Sequence, residues 1–273
     1  MDLPTRSKAS SKVDERDAGK PVLRRTDDRG VVALTLNRPQ AYNALSEAML
    51  AALTDELAEI ARDESARVVV LGAAGKAFCA GHDLKEMRTE PSLAYYQGLF
   101  TQCAQVMLAL QRLPVPVIAR VHGIATAAGC QLVAACDLAV ASSDAKFAVS
   151  GVNLGLFCSA PGVALSRNLT RKAAFEMLVT GGFIDAGAAL AKGLVNRVAD
   201  PARLDDEVEA LVASIVAKPR AAVAMGKALF YRQIEADIAT AYDDAAQTMA
   251  RNMMEHCALE GVQAFIEKRS PAW

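Results

Sequence analysis

PVPVIARVHGIATAAGCQLVAACDLAV, residues 114–140, combines an apolar strand, a turn of small residues and a helix in one segment. We predict a strand at residues 115–121, a helix that begins at Gly129, and a second strand at residues 138–141. Backbone N–H groups at such a helix start point towards a docked ligand and favour a developing negative charge. The segment therefore predicts α/β architecture and an anion-binding turn.

The same alternation of strand and helix continues on both sides of this segment. Apolar β-branched runs predict strands at residues 31–36 and 67–71, and apolar residues at helical spacing predict helices at 46–63 and 93–110. Such alternation implies parallel strands joined by crossover helices. In the final third every predicted element is a helix: 171–179, 185–192, 202–217, 220–233, 234–256 and 259–268. We therefore predict an α/β core at residues 21–200 and a helical region at residues 201–273.

Length and composition limit the class of protein. The chain has 273 residues, 52% of them hydrophobic, which is enough for one sizeable core. Its 30 basic and 31 acidic residues give a net charge of -1, so we expect no nucleic-acid partner. No apolar run is long enough to predict a membrane span, so we expect no membrane partner. Residues 1–20 are polar and lack the hydrophobic stretch of a secretory signal, and are predicted to be a disordered tail.

The six cysteines and three histidines predict neither a disulfide framework nor a metal site. The cysteines lack CxxC spacing and mostly lie in apolar runs, as is typical of buried, reduced thiols. The histidines are scattered along the chain, so no metal is expected. His122 precedes a glycine turn and is predicted to stabilise it through a hydrogen bond. Reduced thiols favour a cytoplasmic location.

Two further segments place glycine and polar residues beside apolar runs. GAAGKAFCAGHDLKE, residues 72–86, lacks the glycine spacing and the Ser or Thr after lysine that a phosphate-binding loop needs. A tight turn at Gly81 with a helix starting near Asp83 fits better, and leaves the backbone N–H of His82 free to donate. We interpret Asp83 as a helix cap rather than a catalytic carboxylate. SGVNLGLFCSAPG, residues 150–162, is predicted to be a loop facing both turns.

Together these segments resemble the crotonase superfamily, also called the enoyl-CoA hydratase/isomerase family. The resemblance runs from about residue 31 to the C-terminus on NRPQAYNAL (37–45), FCAGHD (78–83), PVIARVHG (116–123), CDLA (136–139), TG (180–181) and AKGLV (191–195). GHDLKE (81–86), ATAAGCQLVA (125–134) and GVNLGLFCS (151–159) are most similar to the enoyl-CoA hydratase domain-containing protein 3 group. The resemblance implies a crotonase-like spiral of ββα units with a helical C-terminal trimerisation region. It also implies a homo-trimer or hexamer that binds acyl-CoA and needs no other cofactor.

The resemblance also implies which residues form the reaction site. It places an oxyanion hole for the thioester oxygen at the backbone N–H groups of His82 and Ala128. The two glutamates of family hydratases match Gln131 and Gly151, and an aspartate of related isomerases matches Ser159. None of these three residues can exchange a proton as a carboxylate does. We therefore expect an enoyl-CoA hydratase/isomerase-like protein with weak or absent hydratase activity. The alternative is a non-catalytic acyl-CoA binding protein. Glutamate at positions 131 and 151 would be expected to raise hydration.

The remaining residues implied by the resemblance concern the CoA moiety. Its adenine is expected against the backbone near Ala41, with Lys85 near its phosphates. Phe265 and Lys268 match a C-terminal segment that can reach the CoA of the same or a neighbouring subunit. The imidazole of His82, where many relatives have alanine, is one more polar group near the pocket mouth; whether it contacts the ligand is left open, and a specific catalytic role is the less favoured interpretation.

Overall fold

The computed structural model describes residues 19–273 of the chain. The predicted disordered tail therefore lies outside the described residues, except for Gly19 and Lys20. The Lys20 carbonyl accepts a hydrogen bond from the Asn37 side chain at 3.0 Å. The strands are β1 (Val22–Thr26), β2 (Val31–Leu36), β3 (Val68–Ala73), β4 (Ala77–Cys79), β5 (Val117–Val121), β6 (Ile124–Thr126), β7 (Leu138–Ser142), β8 (Lys146–Ala148), β9 (Ile184–Asp185) and β10 (Arg197–Ala199).

Helices separate most of these strands and make up the C-terminal part. They are α1 (Glu47–Arg62), α2 (Leu84–Met87), α3 (Leu93–Arg112), α4 (Ala128–Ala135), α5 (Ser159–Asn168), α6 (Arg171–Thr180), α7 (Ala186–Lys192), α8 (Leu204–Val216), α9 (Arg220–Gln233), α10 (Ile238–Met253) and α11 (His256–Ile266). Short 3₁₀ turns cover Pro39–Ala41, Ser150–Leu154 and Pro201–Arg203.

The strands form a large and a small sheet. The large sheet has the order β1-β2-β3-β5-β7-β10 and the small sheet the order β4-β6-β8-β9. The pairs from β2 to β10 are parallel, which confirms the prediction from strand and helix alternation. The edge pairs β1–β2 and β8–β9 are antiparallel and were not predicted. The small sheet was largely missed, because strands of two or three residues are too short to show a period of two.

Two helical layers cover the large sheet. Along β2 burial alternates residue by residue, and Val32, Leu34 and Leu36 point into the core shared with α1 and α3. On the opposite face Leu204, Val208 and Val212 of α8 pack against a second apolar cluster from β3, β5 and β7. Helix α8 therefore covers the sheet even though it lies in the predicted C-terminal region.

The last two helices begin at other residues than predicted. The side chain of Asp237 accepts hydrogen bonds from the N–H groups of Ala239 and Thr240, so α10 begins at Ile238 rather than at residue 234. Helix α11 begins at His256 rather than at residue 259. Within residues 19–273, no helix has the length and apolar character needed to cross a membrane.

Candidate functional site

The three segments singled out in the sequence meet around one cavity of about 300 Å³. Its wall is mainly apolar, and its polar side chains are few. It is lined by Ala80, His82, Leu84, Met87, Phe100, Ala127, Ala128, Ser150, Gly151, Leu154, Leu156, Phe157, Cys158, Ser159, Ala160 and Pro161. A mainly apolar cavity with a few convergent polar groups is the usual form of a small-molecule site.

The first segment is held in place by the backbone of Leu45. The N–H of Leu45 donates to the Gly81 carbonyl at 2.8 Å, and the Leu45 carbonyl accepts from Asp83 N–H at 3.2 Å. Between these bonds, the backbone N–H of His82 has no acceptor among the described residues. A half-buried loop thus presents one unpaired backbone donor at the cavity wall.

The second segment presents a similar donor at the start of α4. Ala128 is the first residue of this helix, where an N–H group has no partner within the helix. Ala127, just before it, has a positive φ of 50°, a conformation that costs a residue with a Cβ about 1–3 kcal/mol. That strained turn directs the start of α4 towards the cavity.

Glycines allow the two donor turns to lie in contact. Gly81 has a φ of 91°, and a Cβ added there would lie 2.9 Å from the Ala127 Cβ and 3.4 Å from the Ala128 nitrogen. A Cβ added at Gly129 would lie 2.1 Å from the Cys79 carbonyl oxygen, so the helix start packs directly on β4. Close packing therefore brings the N–H groups of two distant segments to one wall.

The third segment closes the opposite side of the cavity and leaves no room at Gly151. A Cβ there would lie 2.5 Å from the Leu156 carbonyl oxygen and 2.7 Å from the Cys158 sulfur. The N–H of Gly151 donates to that sulfur at 3.3 Å, which fixes the loop. Glutamate at position 151 would therefore require this loop to shift, so the expectation that glutamates at positions 131 and 151 raise hydration stays a prediction that the packing at Gly151 opposes.

Gln131 lies in α4 beyond the cavity wall. Its side chain is buried, its Oε1 atom has no partner within the described part of the chain, and it is absent from the cavity lining. Ser159, the first residue of α5, does line the cavity, and its hydroxyl lies 3.4 Å from the Phe157 carbonyl oxygen. Of the three positions that match the acid and base residues of the family, Gly151 and Ser159 thus line the cavity and Gln131 does not.

The titratable groups of the cavity wall are His82 and Cys158, and none of the described lining residues carries a carboxylate. Burial raises the pKa of the Cys158 thiol, which keeps it protonated and a poor nucleophile. Burial lowers the pKa of the His82 imidazole, which keeps it neutral at pH 7. The site is therefore built to bind a charge through dipoles rather than through an ionised side chain.

Asp83 is the nearest carboxylate in sequence, and it has a structural role. It accepts hydrogen bonds from Lys85 N–H and Glu86 N–H, which confirms the helix-cap interpretation. It also pairs with Arg38 at 3.1 Å. Burial raises the pKa of Asp83, but the hydrogen bond from Arg38 and those from the backbone outweigh this effect and hold the pKa below its usual value.

The residues assigned to CoA lie outside the cavity lining. Ala41 belongs to a 3₁₀ turn next to Tyr42, whose carbonyl accepts from Ala80 N–H at 3.1 Å, so this turn adjoins the first donor segment. Lys85 follows the same segment in α2. Phe265, in α11, is 85% exposed, and Lys268 follows that helix with a φ of 55°. Among the described residues, no cluster of His, Cys, Asp or Glu is suited to hold a metal ion.

Several contacts around the site were not predicted from the sequence. Phe100 in α3 packs edge-on against the His82 ring, with centroids 5.3 Å apart. Asn43 is fully buried and donates to the carbonyls of Ala74 and Ala77, which ties its loop to β4. The NRPQAYNAL motif includes Asn43, but a local motif does not identify its hydrogen-bond partners, which lie more than 30 residues away. His122 Nε2 lies 2.9 Å from the Gly75 carbonyl oxygen, which confirms its predicted role in the turn.

Comparison with known proteins assigns the chain to a family. The sequence model of the Enoyl-CoA hydratase/isomerase family matches residues 26–273. The chain belongs to this family and has its crotonase fold. It is 45% identical over 244 residues to the enoyl-CoA hydratase domain-containing protein 3 of Rattus norvegicus, covering 89% of this chain and 81% of the rat protein.

Two crystal structures support the assignment at the level of the fold. An enoyl-CoA hydratase of Mycobacterium smegmatis is 72% identical and superposes with a TM-score of 0.92, covering 93% of this chain and 98% of that one. The human enoyl-CoA hydratase domain-containing protein 3 is 44% identical with a TM-score of 0.90, covering 93% of this chain and 100% of that one. The resemblance to this group inferred from the motifs is confirmed.

The comparisons contradict the predicted cytoplasmic location. The rat relative is named a mitochondrial protein, as are those of Mus musculus, Xenopus laevis and Homo sapiens. The prediction rested on the pattern of reduced cysteines. That pattern indicates only a reducing compartment, and does not distinguish the cytosol from other such compartments.

Proposed function

We propose that the cavity binds the acyl thioester of an acyl-CoA and holds its carbonyl oxygen between the backbone N–H groups of His82 and Ala128. The observation that carries this proposal is the pair of unpaired donors at the wall of an otherwise apolar cavity. Unsatisfied N–H groups are rare in folded proteins, and they are suited to a ligand oxygen that develops negative charge. We propose acyl-CoA as substrate or ligand, with no further cofactor.

The chemistry that such a site performs is stabilisation of an enolate-like oxyanion. One preorganised donor of this kind is worth roughly 10²–10³ in rate. In contrast, the described cavity wall contains no carboxylate that could transfer a proton. We therefore propose an enoyl-CoA hydratase/isomerase-like protein that keeps the oxyanion hole and has weak or absent hydratase activity.

A non-catalytic acyl-CoA binding protein is the second candidate. The packing at Gly151 favours it, because this loop conformation excludes a glutamate at one of the two family positions. Turnover of any acyl-CoA that depends on the two donors would exclude this candidate. Saturable binding without turnover across a panel of thioesters would support it.

We expect acyl-CoA to raise the thermal midpoint of the protein. A ligand present at about 100 times its Kd and selective for the folded state contributes about 2.7 kcal/mol. Differential scanning fluorimetry with butyryl-CoA and free CoA measures this effect. If neither compound shifts the midpoint, the acyl-CoA assignment fails.

A backbone variant tests the Ala128 donor within the same assay. Proline is tolerated at the first position of a helix and removes the N–H group. The preceding residue needs room for the proline ring, so we compare the double variant Ala127→Gly/Ala128→Pro with Ala127→Gly alone. The single variant is expected to keep the butyryl-CoA shift and the double variant to lose most of it. An equal shift in both would remove Ala128 from the site.

We also propose that the protein assembles as a homo-trimer or hexamer. Large apolar side chains are exposed on the last helices, including Ile238 and Tyr242, each 73% exposed, and Phe265. Monomeric proteins rarely expose contiguous apolar patches of this kind. Light scattering at micromolar concentration is expected to give a trimeric or hexameric mass, and a monomeric mass would contradict the proposal.

A further inference from the structure

A second cavity, of about 420 Å³, lies where α8 ends and α9 begins. Arg67, at its wall, directly precedes β3, whereas the His82 segment follows the opposite end of that strand, roughly 20 Å away along its length. The two cavities share no lining residue among those described. This arginine cavity is lined by Arg67, Val216, Ala217, Pro219, Arg220, Ala221, Cys257 and Trp273.

Two arginines of this wall are held in place by backbone carbonyls. Nη2 of Arg67 donates to the carbonyls of Val216 at 2.9 Å and Lys218 at 2.6 Å. Nε of Arg220 donates to the Ala66 carbonyl at 3.0 Å. Both arginines are half-buried, and neither forms an ion pair with a carboxylate in residues 19–273. Because carbonyl oxygens carry no net charge, two positive charges share one cavity without a counter-charge from the described residues.

The same guanidinium groups keep donors for a ligand. Each has five N–H donors in a planar fork. In the described part of the chain, Nη1 of Arg67 and both terminal nitrogens of Arg220 have no acceptor. Such forks bind phosphate oxygens through paired N–H donors. A phosphate monoester carries a charge of about −1.5 to −2 at neutral pH, which matches two arginines better than a single carboxylate does.

The indole of Trp273 adds a flat surface to this wall. Its Nε1 atom donates to the Ala217 carbonyl at 3.3 Å, and a Cβ added at Gly261 of α11 would lie 3.1 Å from the ring. The ring is thus fixed between the end of α8 and α11, yet Trp273 is 56% exposed. A fixed indole with an exposed surface is suited to stack on a planar base.

We propose that the arginine cavity is a second ligand site, which binds a nucleotide with its phosphates on Arg67 and Arg220 and its base on Trp273. The cavity volume falls within the range of small-molecule sites. The arginines distinguish a nucleotide from an uncharged nucleoside, and the indole distinguishes it from an inorganic anion. The site does not depend on the proposed acyl-CoA cavity, because the two have no lining residue in common.

Fluorescence titration of the full chain with GDP tests this site. Trp273 is the one tryptophan of the sequence, so tryptophan emission reports on the arginine cavity. We expect GDP to change the emission saturably, with a Kd at least about tenfold below that of guanosine, which lacks the phosphates. Titration calorimetry on the same samples gives both Kd values without the reporter.

Variants assign the two parts of the ligand to their residues. Arg67→Gln and Arg220→Gln are each expected to weaken GDP binding about tenfold or more and to bring the ratio of the GDP and guanosine Kd values towards one. Arg220→Lys keeps the cation without the fork and is expected to give an intermediate ratio. By calorimetry, Trp273→Ala is expected to weaken GDP binding about fivefold or more and to leave pyrophosphate binding unchanged.

Controls separate this site from general effects and from the proposed CoA contacts. A ratio of two Kd values measured on one protein cancels any general loss of affinity in a variant. Arg171→Gln, which changes an exposed arginine on α6, and Lys85→Met, which removes the lysine assigned to the CoA phosphates, are expected to keep the native GDP affinity.

Three results would overturn the proposal. GDP could give neither an emission change nor binding heat, the arginine variants could keep the native ratio, or Lys85→Met could weaken GDP binding in their place. If the arginine variants act as expected but Trp273→Ala leaves GDP binding unchanged, the cavity recognises the phosphates alone and the nucleotide assignment is overturned.

Discussion

Crotonyl-CoA hydration by this protein is expected to run at least about 10⁴-fold below that of a family hydratase with both glutamates. Addition of water needs a base to activate the water and an acid to deliver the α-proton, and each contributes roughly 10²–10⁴ in rate. The described cavity wall has no carboxylate for either step, and Asp83 is held by Arg38 and the α2 backbone. Absorbance at the enoyl thioester band measures the rate.

Two variants separate the effect of the oxyanion hole from that of the missing acid and base. The double variant Ala127→Gly/Ala128→Pro is expected to lower any residual rate by a further 10²–10³, roughly the worth of one oxyanion donor. Gly151→Glu is expected to lower stability rather than raise the rate, because its Cβ already overlaps the Leu156 carbonyl. A native rate typical of efficient enzymes would show that another group transfers the protons.

Lys227→Met is expected to lower the free energy of unfolding by about 3–5 kcal/mol, since it leaves a buried partner charge uncompensated. The side chain of Lys227 is 6% exposed and that of Asp137 is 14% exposed, with 2.6 Å between ammonium and carboxylate. The same ammonium donates to the carbonyls of Leu110 and Val115 at 2.9 Å. This cluster connects α9 to the segment that carries α4 and the proposed Ala128 donor.

Chemical denaturation with a matched variant checks this expectation. Lys172→Met changes an exposed lysine on α6 and is expected to alter the stability by no more than about 0.5 kcal/mol. In a double-mutant cycle, Asp137→Asn should couple to Lys227→Met, because the two residues are in direct contact. A loss below about 1 kcal/mol in Lys227→Met would mean that the ion pair is not needed to hold α9 on the core.

The parts of the fold that follow from local patterns could be predicted from the sequence. The alternation in β2 and the apolar spacing of α1 each depend on a short window of residues, so both elements agree with the predictions. The short strands of the small sheet did not emerge, because β4, β6 and β8 pair with partners far along the chain. The antiparallel hairpin of β1 and β2 is local, but the sequence VLRRT of β1 has no apolar alternation to signal a strand.

The part of the site that follows from local motifs could also be predicted from the sequence. The motifs place His82 and Ala128 at turns, and the structure brings both turns to one cavity. The exclusion of a side chain at Gly151 depends on how the loop folds back onto Leu156, and no local pattern signals it. The packing of the His82 ring against Phe100 likewise joins residues that are distant in sequence.

The most direct test of the proposed site is a crystal structure with butyryl-CoA bound. We expect the carbonyl oxygen to lie about 2.7–3.1 Å from the backbone nitrogens of both His82 and Ala128. The acyl chain should then occupy the cavity beside Phe100. A carbonyl oxygen bound elsewhere, with the two N–H groups facing water or another ligand atom, would contradict the proposed oxyanion hole.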